Sequence, residues 1–203
     1  SILENLYGPL CNYVLNTTDT IYNSQGFLHS LYHANLFLSP LDNKEHWFRY
    51  HSLFAGTLRH LLAEQYPKEI PTLYKRASEW CDQNGYFEEA LSYANKTNEP
   101  SQIIFLLEKY SVEAITQNRI FDILGRIRRT DETLLASSPI LSLIYSWGCL
   151  FTLDMDSSEI WLEKARELMT GVDHIRWTKP VEDAFWGLIA AGQSILEATH
   201  GEN

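Results

Sequence analysis

Apolar residues recur with two different periods along this chain, and the change of period divides it. The stretch GFLHSLYHANLFL has apolar side chains at helical spacing and predicts a helix that closes at Asn35. Two short aromatic and aliphatic runs follow on either side of DNKE. Together they predict a β-hairpin with a polar tip.

The hairpin leads directly into an amphipathic segment, WFRYHSLFAGTLRHLL. Ser52 is of a type that caps helices, and apolar residues then recur on one helical face at Phe54, Leu58, Leu61 and Leu62. Near the start of the chain, ILENLYGPLCNYVL also has helical spacing, bent or interrupted at Gly8-Pro9. Helices followed by a hairpin and another helix predict a winged-helix domain over residues 1–66.

Residues 67–203 have helical periodicity without strand signals. Gly85, Phe87, Ala90 and Pro100 resemble the second half of a tetratricopeptide repeat, and Pro100 is expected to end its helix. PILSLIYSWGCLF and SSEIWLEKARELMTG predict a second helical hairpin, and a last helix from Pro180 lacks a partner, so the array is predicted to be truncated. The predicted fold is mainly α, with a winged helix and small β-hairpin followed by tetratricopeptide-like antiparallel helical hairpins.

Composition narrows the class of protein. The 203 residues are 45% hydrophobic and carry a net charge of −10, which disfavours binding to nucleic-acid phosphates. Arg126, Arg128 and Arg129 are best explained as a solvated helix end. No apolar run approaches the roughly 20 residues of a membrane helix, and no leader is visible. We therefore expect a cytoplasmic protein without a membrane partner.

The sequence contains no recognisable catalytic motif. It has no phosphate-binding GxxxxGK[ST], no GxSxG and no HExxH. Asp154 and Asp156 look like paired acids, but they fit a turn and a helix cap better than acid–base catalysis. We therefore predict that this chain is not an enzyme and has no catalytic residues.

Two other groups of residues could bind ligands. His29 and His33 lie one helical turn apart and could share a metal ion, but no further ligand is evident in the sequence, so no metal site is predicted. The six tryptophans could stack on a sugar or peptide, although their spacing favours packing.

His51 lies at the junction between the predicted hairpin and the following helix. A histidine there could face an adjoining domain. It could instead be a capping or interdomain histidine with no ligand. The pattern alone favours this second interpretation.

Several consecutive pieces of the chain resemble a known family. NLFLSPLD, WFRYHSLF, RASEW and FEEA occur in the order and spacing found in large LuxR-type transcriptional activators of the STAND class, similar to the maltose-regulon activator. The resemblance covers residues 2–94 and continues more loosely through SSPILSLIYSWGCLF. It implies an ATPase core, then a winged helix, a helical arm, a tetratricopeptide-like sensor and a LuxR-type helix-turn-helix. This chain would cover the winged helix, the arm and the start of the helical array.

The same resemblance implies a role for His51. In STAND proteins a Met-His-Asp motif begins the last helix of the winged domain, and its histidine contacts the ADP β-phosphate in the resting state. Tyr50-His51-Ser52 occupies this place, with Tyr for Met and Ser for Asp. His51 is thus implied as a nucleotide sensor and Arg49 as a second contact. ATP or ADP would belong to the full-length protein, and this chain itself would hold no cofactor.

The resemblance also implies partners within the full-length protein. These are the ATPase core, the sensor and the DNA-binding domain, with self-association on activation and DNA bound only through the C-terminal domain. The main alternative is a free-standing tetratricopeptide-like adaptor that binds a protein. A DNA-binding winged-helix repressor is a poorer option, because residues 27–35 offer no lysine or arginine.

Overall fold

The computed structural model describes residues 2–16, 23–97, 99–117, 119–171 and 177–200. Its backbone is mainly helical with one small antiparallel sheet, which confirms the predicted fold class. The chain forms two compact units, Ser1–Glu99 and Pro100–Asn203. The predicted domain boundary between residues 66 and 67 separates the winged helix from the helical arm, whereas the two compact units divide after Glu99. That domain boundary stays a prediction.

The first unit contains a three-stranded sheet and five helices within its described residues. The strands are β1 (Leu6–Tyr7), β2 (Leu38–Pro40) and β3 (Trp47–Tyr50). The helices are α1 (Gly8–Leu15), α2 (Ser24–His33), α3 (Ser52–Gln65), α4 (Ile70–Gln83) and α5 (Phe87–Ala94).

Strand β3 is the centre of the sheet. It pairs antiparallel with β1 on one side and β2 on the other, so Phe48 lies opposite both Leu6 and Pro40. Phe48 is fully buried, and the rings of His29 and Tyr32 from α2 pack against it. The predicted hairpin is therefore confirmed, and its second strand anchors the core of the winged helix.

The predicted helix at the start of the chain was wrong before Gly8. Leu6 and Tyr7 form β1, and α1 begins at Gly8 with proline in its first turn. Proline suits that position because its missing N–H would have no helical partner there. A Cβ on Gly8 would lie 2.7 Å from the Cβ of Gln25, so only glycine allows α2 to approach so closely.

Helix α3 differs from its prediction in two respects. The capping position is held by His51 rather than Ser52, and no side chain caps the helix. Its predicted apolar face is only half-buried at Phe54, Leu58 and Leu62, and Leu61 is exposed.

The second unit contains helices and no strand within its described residues. Its helices are α6 (Pro100–Thr116), α7 (Ile120–Ile127), α8 (Glu132–Leu135), α9 (Pro139–Phe151), α10 (Met155–Gly171) and α11 (Lys179–His200). Pro100 was expected to end α5, but it starts α6 instead. No helix within the described residues has both the length and the apolar character needed to cross a bilayer.

One buried core spans α9, α10 and α11. Ser138 and Pro139 begin α9 as expected, with the Ser138 hydroxyl accepting from the Leu141 amide. Asp154 accepts from the amide of Ser157, which agrees with the predicted cap before α10. The buried members of this core are Leu143, Leu150, Leu162, Ala165, Met169, Phe185, Ile189 and Leu196.

Each of the two predicted helical hairpins contains a buried serine hydrogen bond between its two helices, and the bond lies at the equivalent position in both. In the α4–α5 pair, Ser78 Oγ donates to the carbonyl oxygen of Ala90 at 2.8 Å. In the α9–α10 pair, Ser146 Oγ donates to the carbonyl oxygen of Ser158, also at 2.8 Å. Both bonds join residues 12 apart. The second lies about 68 residues after the first, which is twice the period of a tetratricopeptide repeat.

We expect Ser146→Ala to lower the free energy of unfolding by about 1–2 kcal/mol, because it removes buried hydrogen bonds to both the carbonyl and the hydroxyl of Ser158. Chemical denaturation measures the change. The matched control is Ser194→Ala, which removes an exposed serine bond within α11 and should cost less than about 0.5 kcal/mol. Equal losses in both variants would contradict a structural role for the buried bond.

The three cysteines are free thiols. Burial raises the pKa of Cys11 to about 11 and that of Cys81 to about 12, and it also raises the pKa of Cys149. Such thiols are almost entirely protonated near neutral pH, which makes them poor nucleophiles. They act as small apolar side chains.

Candidate functional site

His51 lies where the central strand ends and α3 begins. Its backbone N–H donates to the carbonyl oxygen of Phe37 at 2.8 Å and so continues the β2–β3 pairing. Its own carbonyl accepts from the Ala55 amide at 2.9 Å as the first bond of α3. The backbone of His51 is therefore fixed from both sides.

The His51 side chain is exposed and makes no capping bond to α3. The first amides of α3 consequently lack a side-chain acceptor. A helix N-terminus carries partial positive charge, and its free N–H groups favour a phosphate or another anion. An imidazole beside such amides can add a further N–H donor.

Arg49 is exposed on β3, two residues before His51. Its Nε and Nη2 atoms both donate to Asn5 Oδ1, at 3.1 and 2.9 Å. These two bonds hold the guanidinium in one orientation next to β1. The two predicted site residues, Arg49 and His51, thus lie at the same end of β3. Asn5 orients the Arg49 guanidinium, and sequence analysis did not predict this residue.

Positive charge surrounds Glu4, which neighbours Asn5. Lys96 Nζ donates to Glu4 Oε1 at 2.8 Å, and this bond is the main reason why the pKa of Glu4 is lowered. The charges of Arg59 and Arg49 lower the pKa further, while partial burial opposes them. Arg59 was not predicted, although it follows His51 by eight residues, about two turns along the same helix.

The opposite end of β3 enters an aromatic cluster. Trp47 stacks on Tyr7 of β1 at 4.8 Å between ring centroids, and its ring meets Tyr86 edge-on at 5.5 Å. Tyr86 in turn stacks on Trp80 of α4 at 5.8 Å. This aromatic cluster (Tyr7, Trp47, Trp80 and Tyr86) joins the sheet to the hairpin of α4 and α5. Packing therefore explains Trp47 and Trp80.

Part of this chain is similar in sequence to known proteins. The family model described as the MalT winged helix domain matches residues 1–70. Residues 1–70 form a winged helix domain that is similar to that of MalT. The match spans the sheet, α1, α2 and α3, and it therefore contains both His51 and Arg49.

The similarity to known proteins extends beyond residues 1–70. The HTH-type transcriptional regulator MalT of Vibrio campbellii is 29% identical over 123 residues, which cover 60% of this chain and 14% of the relative. The serine/threonine-protein kinase PknK of Mycobacterium tuberculosis is 26% identical over 148 residues, or 73% of this chain and 13% of the kinase. MalT of Vibrio cholerae is 22% identical over 147 residues. The chain spans only about one seventh of the length of the first two relatives.

Residues 1–70 therefore resemble a known winged helix domain, while the roles of their residues are not assigned by these similarities. The nucleotide contacts of His51 and Arg49 stay predictions. The absence of catalytic residues stays a prediction as well.

Proposed function

We propose that this chain is a non-catalytic regulatory module of a larger MalT-like regulator. In this proposal it couples the nucleotide state of an ATPase core to a helical sensor domain. One observation carries the proposal: strand β3 bears the His51 site at one end and the aromatic cluster of the α4–α5 hairpin at the other. Because β3 is paired on both sides, the strand can act as a rigid link between the two ends.

In the resting state, the His51 imidazole donates one N–H to a β-phosphate oxygen of ADP held by the core. Arg49 provides a second positive group, and the uncapped start of α3 favours the same anion. A hydrogen bond to a charged group is worth about 1.5–3 kcal/mol. That energy is enough to shift a switch whose two states differ by a few kcal/mol.

The proposed partners are other domains of the same protein. They are the ATPase core, the sensor and a DNA-binding domain, with self-association on activation. The acidic chain itself would leave DNA to the separate domain. The Vibrio relatives are HTH-type transcriptional regulators, which agrees with this arrangement. A regulator of this kind acts in the cytoplasm and uses ATP and ADP through its core.

A second candidate has the same module linked to a different output. The kinase of Mycobacterium tuberculosis matches 73% of this chain, about the same share as the 72% matched by MalT of Vibrio cholerae. A kinase domain could therefore replace DNA binding as the output. A free-standing adaptor stays the alternative of a different class.

The flanking coding sequence separates these candidates. A P-loop upstream and a helix-turn-helix downstream support the transcriptional regulator. A kinase domain supports the second candidate. An adaptor requires that neither a P-loop nor an output domain be present.

We expect His51→Ala in the full-length protein to release ADP about tenfold faster, since losing about 1.4 kcal/mol corresponds to a factor of ten. The basal activity of the full-length regulator should rise as ADP release becomes faster. Release of a fluorescent ADP analogue, followed by stopped flow, measures the change. The matched control is His60→Ala, an exposed histidine on α3 that pairs with Glu64 and should leave release unchanged.

Unchanged ADP release and basal activity in the His51 variant would contradict the sensor role. The isolated chain provides a second check. We expect it to show no measurable ADP affinity or ATP hydrolysis, because most nucleotide contacts would be in the core. Tight ADP binding by the isolated chain would contradict the proposed division of the nucleotide site.

A further inference from the structure

Three side chains with metal-binding atoms meet beside the tip of the hairpin. His29 and His33 come from adjacent turns of α2, and Glu45 comes from the loop between β2 and β3. One ligand atom from each lies within 4.8 Å of the others. The sequence showed the two histidines, but Glu45 joins them only because the loop folds back onto α2.

One distance within this group matches the separation of two ligands on one metal ion. His29 Nδ1 lies 3.4 Å from Glu45 Oε2. A charge-assisted N–H···O bond is normally about 2.7–2.9 Å long. Two ligands on one tetrahedral zinc ion, with bonds of about 2.0–2.1 Å, lie about 3.3–3.4 Å apart. The observed spacing therefore agrees with two ligands on one ion, and the third ligand, His33, distinguishes this group from an ordinary ion pair.

The surrounding structure holds these ligands in place. Gln25 Nε2 donates to the carbonyl oxygens of Glu45 and His46, at 3.0 and 3.2 Å, and lies 3.3 Å from His29 Nε2. Gln25 Oε1 accepts from the Gly8 amide at 2.8 Å, which fixes the orientation of its side-chain amide. Gln25 is thus a positioning residue that fastens the loop to α2.

Two further features restrict the geometry. Glu45 has a φ of 54°, a left-handed conformation that is uncommon for a residue with a side chain, and its amide donates to the carbonyl of Asp42. The His29 ring lies edge-on to the buried Phe48 at 5.4 Å. His29 and Glu45 are each about one-third exposed, so an ion could enter and keep a water ligand.

We propose that His29, His33 and Glu45 bind a divalent transition-metal ion, with zinc as the best match. Two imidazoles and one carboxylate form a common zinc ligand set, and the fourth position would be taken by water or by an external donor. A bound ion would fasten α2 to the loop between β2 and β3. The site does not depend on the nucleotide role of His51.

Metal binding can be tested on the 203-residue chain, prepared without a polyhistidine tag and stripped with a chelator. We expect one equivalent of Co²⁺ to bind with the intense visible absorption of a tetrahedral site, and Zn²⁺ to displace it. Zinc should also raise the melting temperature, because an ion that binds only the folded chain stabilises it. Calorimetry with Zn²⁺ gives the affinity.

The decisive variants are His33→Ala and Glu45→Gln, because His29 also packs on the core. Each should lower zinc affinity at least about tenfold and abolish the tetrahedral absorption, while circular dichroism stays unchanged. Gln25→Ala should weaken binding less than either. The matched control is His60→Ala, which removes a histidine whose carboxylate partner lies at a similar distance, 3.3 Å, without a third ligand.

Three results would overturn the proposal. The first is the absence of saturable Co²⁺ and Zn²⁺ binding. The second is an octahedral cobalt spectrum that the His33 and Glu45 variants leave intact. The third is an equal loss of affinity in the His60 variant, which would indicate ordinary binding to surface histidines.

Discussion

Phe48→Ala is expected to lower the free energy of unfolding of the winged helix by about 3–5 kcal/mol. The Phe48 side chain has 0% exposure and lies on the central strand, between pairing partners on both sides. Its removal leaves a cavity against the rings of His29 and Tyr32. Because small domains are stable by only about 5–15 kcal/mol, the loss should leave the winged helix only marginally stable.

Chemical denaturation followed by circular dichroism measures this loss. Phe27→Ala is the matched control, because it removes the same side chain from α2 at a site with 63% exposure. It should change the free energy by less than about 0.5 kcal/mol. A small effect at Phe48 would mean that the sheet does not anchor the core.

Phe185→Ala is expected to destabilise the second unit by a similar amount, about 3–5 kcal/mol. Phe185 has 0% exposure in the core shared by α9, α10 and α11. Its ring packs between Trp177 and Trp186, at 5.3 and 5.4 Å. Loss of the ring should therefore shift tryptophan fluorescence as well as the denaturation midpoint.

Phe105→Ala provides the comparison for this second variant. Phe105 lies on α6 with 58% exposure, so its loss should cost less than about 1 kcal/mol and leave the fluorescence near Phe185 unchanged. Equal destabilisation by both variants would show that α11 is not part of the core.

The elements that the sequence predicted well are those whose pattern is local. The α4–α5 and α9–α10 hairpins follow from alanine, serine and apolar residues at helical spacing, and Gly85 has the positive φ of a helix terminator. The β-hairpin followed from two apolar runs around a polar tip. In each case neighbouring residues carry enough of the signal.

The errors occurred where distant residues decide the outcome. The segment before Gly8 has helical spacing, yet Leu6 and Tyr7 pair with Phe48 and Trp47 of β3, about forty positions away. Ser52 is a better capping residue than His51, yet the hydrogen bond from His51 to Phe37 fixes the backbone one residue earlier. Tertiary pairing thus outweighed local preference at both places.

The sequence by itself determined the mainly helical class, the winged-helix order and the position of His51 at the head of a helix. Only the tertiary structure placed Glu45 beside His29 and His33, fixed Arg49 on Asn5 and connected Trp47 with Trp80 and Tyr86. The spacing of apolar residues predicts which face of a segment packs against the core, because most core positions are apolar. It does not record which polar residues from separate elements will meet, since that depends on how the loops close.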